Sequence, residues 1–113
     1  MTAGIKTVIY PVKDLAQATA LYRTLLGMEP YAQSPYYVGF RVGDQEIGLD
    51  PNGLRRGTGP LAYHHVDDIK AGLQQLLDAG AEPLQDVTDV GGGKLIAIVK
   101  DADANMIGLL QDA

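Results

Sequence analysis

The feature that most constrains this chain is an internal repetition. Val12-Lys13-Asp14-Leu15 returns as Val66-Asp67-Asp68-Ile69, 54 positions on. Gly27-Met28-Glu29-Pro30 returns as Gly80-Ala81-Glu82-Pro83, 53 positions on, and Ile47-Gly48-Leu49 returns as Ile107-Gly108-Leu109. Three matches in one order at similar spacing define a unit used twice, and a period of this length marks a supersecondary motif that buries its apolar face against its neighbours. A fold built from two copies of one motif is therefore required.

The hydrophobic rhythm shows what the motif is. Ile5 to Val12 is apolar and β-branched and reads as a strand. Asp14 then offers an N-cap, and Leu15, Ala18, Leu21, Tyr22, Leu25 and Leu26 recur at helical spacing until Gly27 stops them. From Tyr36 the period falls to two, with Val38, Phe40 and Val42 alternating with Tyr37, Gly39 and Arg41. Gly43-Asp44 marks a turn, and Glu46 to Asp50 reads as a further strand. The glycine- and proline-rich stretch 51–60 divides the chain nearly in half. Beyond it the order repeats: Leu61 to Val66 as a strand, Asp67-Asp68 capping a helix whose apolar face is Ile69, Leu73, Leu76 and Leu77, Gly80 as its stop, and strands at Lys94 to Val99 and Met106 to Leu110. The expectation is an α+β fold of tandem βαβββ modules within one domain spanning 1–113, module one at about 5–52 and module two at about 61–112. Gly91-Gly92-Gly93 lacks the context of a nucleotide-binding loop and reads as a flexible loop.

Composition narrows the function classes. With 46% apolar and 20% charged residues among 113, the chain has the make-up of a folded globular protein. A net charge of -5 with scattered basic residues argues against nucleic acid, whose affinity for proteins depends on a basic surface. No apolar run suits a membrane span and no leader peptide is visible, so a cytoplasmic protein is expected. The absence of cysteine excludes disulfides, thiolate nucleophiles and cysteine metal ligands.

The strand ending in Val12-Lys13-Asp14-Leu15, the helix with Ala20-Leu21-Tyr22 closing at Leu25-Leu26-Gly27-Met28, and the turn Asp101-Ala102-Asp103-Ala104-Asn105 resemble the vicinal oxygen chelate superfamily of glyoxalases, bleomycin-resistance proteins and dioxygenases. In that superfamily the turn reads Asp-Pro-Asp-Gly-Asn, and here alanine replaces both proline and glycine. The resemblance implies paired modules forming a curved mixed sheet around a ligand cavity, with helices on the outer face, and it implies a partner in a second copy of the chain, as a homodimer. It also implies one metal ligand, His or Glu, on the first and last strand of each module. Those positions fall here at Thr7, Gly48, Leu61 and Gly108, a set without an imidazole or carboxylate donor, so no metal and no other cofactor is expected.

The remaining chemistry rests on few residues. His64 and His65 alternate across a strand and cannot both hold one ion from it. His65 shares a face with Leu61 and Tyr63, and its near-neutral titration suits a general base or a hydrogen-bond donor. Glu46 and Asp50 flank Gly48 on one face and are the other candidate bases. Thr7, Ile9, Tyr37, Arg41, Leu61, Tyr63 and Met106 are the candidate ligand contacts, with Arg41 as a planar fork for a carboxylate or amide. The favoured reading is a metal-independent binding protein for a small aromatic or amphipathic molecule. Two alternatives stay open: a metal-independent isomerase or lyase using His65, Glu46 or Asp50 as base, and an interaction module whose cavity is filled by its own side chains.

Overall fold

The computed structural model describes residues 2–52 and 59–113. Most of the expected dividing loop, residues 53–58, lies outside the described residues. The elements run β1 (Thr2–Pro11), α1 (Leu15–Leu26), β2 (Ala32–Gln33), β3 (Val38–Val42), β4 (Gln45–Asp50), β5 (Leu61–Val66), α2 (Ile69–Asp78), β6 (Glu82–Asp89), β7 (Leu95–Lys100) and β8 (Met106–Gln111). This is an α+β chain of two βαβββ modules. It forms two compact units, one of Thr7–Leu61 and one of Ala62–Ala113 joined by the start of the chain through Lys6.

In the first unit the strand order is β2-β3-β4-β1. β1 runs parallel to β4 and β3 antiparallel to it, with Thr7 opposite Glu46, Ile9 opposite Gly48, Gly39 opposite Gly48 and Arg41 opposite Glu46. Period-two alternation sends Val38, Phe40 and Leu49 to one face, where they pack with Leu15, Ala18, Tyr22 and Leu26 of α1. Phe40 and Leu49 are wholly buried, so truncating either to alanine costs about 2–5 kcal/mol. α1 begins as expected, the Gln17 N–H donating to the Asp14 carboxylate at 3.0 Å, and ends at Gly27 in the left-handed region with φ 66°. β3 starts two residues later than the alternation suggested. The Ser34 hydroxyl accepts from the Tyr36 and Tyr37 N–H groups, and the Ser34 N–H donates to the Tyr37 carbonyl, which holds 34–37 in a turn.

The second unit repeats the arrangement with the order β5-β8-β7-β6 and β5 parallel to β8. Val66, Ile69, Leu73, Ala97, Val99 and Leu109 form its core. Asp68 caps α2 through the Ala71 N–H, and the helix closes on a paired motif, Gly80 N–H to Leu77 carbonyl and Ala81 N–H to Leu76 carbonyl, with Gly80 at φ 106°. The sequence patterns did not reveal β2 or β6. β2 is two residues long, and β6 carries Pro83 and register shifts on either side of Gln85, which erase the alternation. The three glycines at 91–93 are not a free loop. All have positive φ, and the Val90 N–H to Lys94 carbonyl and Lys94 N–H to Gly91 carbonyl bonds make them the closed turn between β6 and β7. No helix among the described residues is long and apolar enough to cross a membrane.

Candidate ligand site

The face of the first unit opposite its core carries Thr7 and Ile9 from β1, Tyr37, Gly39 and Arg41 from and before β3, and Glu46 and Gly48 from β4. The register sets Thr7 and Arg41 on either side of Glu46, and Ile9 and Gly39 on either side of Gly48. Glu46 is the hub: the Arg41 guanidinium donates through Nη2 to Oε1 at 3.0 Å, and the Tyr37 hydroxyl donates to Oε2 in a short hydrogen bond. The Arg41 guanidinium also lies 4.3 Å from the centre of the Tyr31 ring, a cation–π geometry. The Glu46 side chain is 12% exposed and that of Arg41 55%, so the ion pair reaches from a covered carboxylate to an accessible guanidinium.

Two glycines make this packing possible. A Cβ on Gly39 would stand 2.9 Å from both Tyr31 Cε1 and Tyr37 Cε2. A Cβ on Gly48 would stand 2.5 Å from Ile9 Cδ1 and 2.6 Å from Tyr37 Cε1, and closer still to the Tyr37 hydroxyl. Real side-chain carbons do not approach so closely, so the cross-strand pair Gly39 and Gly48 forms a bare floor on which the Tyr37 ring rests.

The phenols are held neutral. Burial, and then the hydrogen bond and charge of Glu46, push the Tyr37 hydroxyl far above the ordinary tyrosine range. Burial and then the same carboxylate push Tyr31 up to about 12. Glu46, through its hydrogen bond first, holds Arg41 all the more firmly protonated.

Of the residues singled out in the sequence, Tyr37, Arg41 and Glu46 are brought together, with Thr7 opposite Glu46 and Ile9 against Gly48. Asp50 is engaged elsewhere, its carboxylate accepting the Asn52 N–H at 2.8 Å at the strand end. Tyr63, His65 and Met106 belong to the second unit. There the buried Tyr63 ring lies against Gly108, where a Cβ would stand 2.6 Å from Tyr63 Cδ1. His65 Nδ1 is 3.4 Å from an Asp112 carboxylate oxygen, and the Thr2 hydroxyl donates to the His65 carbonyl. Leu61 is buried, and Met106 is half-buried opposite Lys100. Sequence reasoning did not place Tyr31 or Gly39 among the site residues. The signal for Gly39 was its place between Tyr37 and Arg41 in a strand interior, where glycine marks close approach of another group.

The positions at which the family resemblance implies a metal do not fit one here. Thr7, Gly48, Leu61 and Gly108 supply neither imidazole nor carboxylate, and tyrosine rings stand where side chains at Gly48 and Gly108 would begin. Among the described residues, no three His, Cys, Asp or Glu side chains gather in a way that could hold a metal ion.

The profile of the Glyoxalase/Bleomycin resistance protein/Dioxygenase superfamily matches residues 4–109. The chain belongs to that superfamily. Among solved structures of similar fold is a variant of Streptomyces coelicolor methylmalonyl-CoA epimerase in complex with 2-nitronate-propionyl-CoA, at 17% identity and TM-score 0.82, covering 100% of this chain and 96% of that one. Mycobacterium tuberculosis methylmalonyl-CoA epimerase is similar at 21% identity and TM-score 0.79, covering 99% and 89%. A superfamily member from Vibrio splendidus is similar at 15% identity and TM-score 0.72, covering 95% and 97%. At these identities the likeness extends to the fold alone. No curated protein sequence matches the chain.

Proposed function

We propose that this protein binds a small planar molecule, without the superfamily's metal, at the cluster of Tyr31, Tyr37, Arg41 and Glu46. The observation that carries this reading is the glycine floor: Gly39 and Gly48 admit two tyrosine rings and so set flat apolar surfaces and an anchored guanidinium beside each other. Such a pairing of flat surface with a few fixed polar groups is the usual make-up of a small-molecule site. Binding is favoured over catalysis because Glu46, the best placed of the candidate bases, is held as a structural hub by the Tyr37 hydroxyl on one oxygen and the Arg41 guanidinium on the other.

The test begins with mass spectrometry of small molecules released from purified protein by denaturation. A ligand recovered in this way is then titrated against the parent and Arg41→Ala. A hydrogen bond to a charged group contributes about 1.5–3 kcal/mol, so Arg41→Ala should weaken binding by about tenfold to a hundredfold. Equal affinity in the two proteins, both folded, would remove the cluster as the site.

A further inference from the structure

The cluster also constrains the charge of what it can hold. Arg41 and Glu46 form an ion pair at 3.0 Å, so the guanidinium that a ligand would meet already has its countercharge beside it. Both phenols stay neutral at physiological pH, as tyrosine ordinarily does, and the Glu46 carboxylate beside them reinforces this. The whole chain carries a net charge of -5, which repels anions at longer range. A carboxylate arriving at the accessible edge of Arg41 would face the Glu46 carboxylate across the guanidinium, and repulsion between the two like charges offsets part of its attraction to Arg41.

Hydrogen-bond polarity points the same way. Arg41 offers donors only, and although it is engaged by Glu46 and by the Tyr31 hydroxyl, its five N–H groups leave donors on an exposed fork. Tyr37 gives its proton to Glu46, so toward a ligand its oxygen acts as an acceptor. A ligand edge matched to this pair must carry an acceptor beside a donor. A carboxylate has no donor and would set an oxyanion against the Tyr37 lone pair.

Resting on the reading of the cluster as the ligand site, we infer that its occupant is a neutral planar amide or lactam, its carbonyl on Arg41 and its N–H toward Tyr37, rather than a carboxylate. Benzamide and benzoate share ring and size and differ in this one respect. In a titration of isotopically labelled protein followed by amide shifts, benzamide should move the resonances of residues 31–48 saturably and bind at least about tenfold tighter than benzoate, a ratio equal to about one lost hydrogen bond. Glu46→Gln, which removes the countercharge, should turn the preference toward benzoate. Tighter binding of benzoate to the parent at these residues would overturn the amide assignment while leaving the cluster as a ligand site. Failure of both probes to shift residues 31–48, or shifts confined to the second unit, would overturn the site and the assignment together. The parent comparison decides the class by itself if Glu46→Gln does not fold.

Discussion

Gly48→Ala tests the central structural claim. The added Cβ would lie 2.5 Å from Ile9 Cδ1 and 2.6 Å from Tyr37 Cε1, with the Tyr37 hydroxyl nearer still. Tyr37 cannot tilt away freely, because its other edge rests on Gly39 and its hydroxyl is bonded to Glu46. Overpacking of this kind costs about 1–3 kcal/mol, and breaking a hydrogen bond to a charged partner adds about 1.5–3 kcal/mol, while alanine's restriction of the unfolded chain offsets about 0.4–1 kcal/mol. The net loss should be about 1.5–5.5 kcal/mol, or roughly 6–30 °C in melting temperature for a domain of this size. Urea denaturation of the parent, Gly48→Ala, Tyr37→Ala and the double variant closes a thermodynamic cycle. Two of the three atoms nearest the new methyl group belong to Tyr37 and the third is the flexible end of Ile9, so with Tyr37 removed the same substitution should cost less than about 1 kcal/mol, leaving a coupling of about 1 kcal/mol or more. An equal cost in both backgrounds, or a loss below about 0.5 kcal/mol in the parent, would refute the glycine floor.

Ala104 sits at φ 66° in the turn that closes on Asp101, a conformation that costs an L-residue about 1–2 kcal/mol, so Ala104→Gly should stabilise the protein by about 0.5–1 kcal/mol after glycine's own entropy is subtracted. A lower melting temperature in that variant would contradict the turn geometry. Because the Tyr31 hydroxyl is raised from 10.0 to about 12 and Tyr37 is raised further, unfolded tyrosine ionises first. The stability these phenols lend is complete below pH 10.0 and lost as the pH climbs through about 12, and the double substitution to phenylalanine should flatten that fall in denaturation measured across this window. We expect neither a chelator nor added zinc, nickel or manganese to move the melting temperature, since a metal held by the native state would shift it. We also expect a homodimer, in keeping with the 66% and 71% exposure of Leu21 and Leu25 on α1, and a sedimentation mass of one chain at micromolar concentration would exclude it.

What the sequence by itself determined was everything governed by local period and by the repeat. The duplicated Val-x-Asp start fixed two helix caps, Gly27 and Gly80 fixed two helix ends, and the alternation through 38–42 separated the core residues Val38 and Phe40 from Tyr37 and Arg41. These follow from neighbours a few positions apart, where backbone geometry alone sets the direction of each side chain. The repeat register also located Gly48 and Gly108, but it could say only that these positions lack donors. Tertiary structure decided what takes their place, because the Tyr37 and Tyr63 rings reach Gly48 and Gly108 across strand pairs that no local pattern encodes. It likewise brought Tyr31 against Arg41, separated Asp50 from Glu46 although both flank Gly48, and turned Glu46 from a free acid into the hub of a hydrogen-bonded cluster. Such contacts depend on which strands lie side by side and in what register, and period-two alternation fixes a residue's face without fixing its neighbour across the sheet.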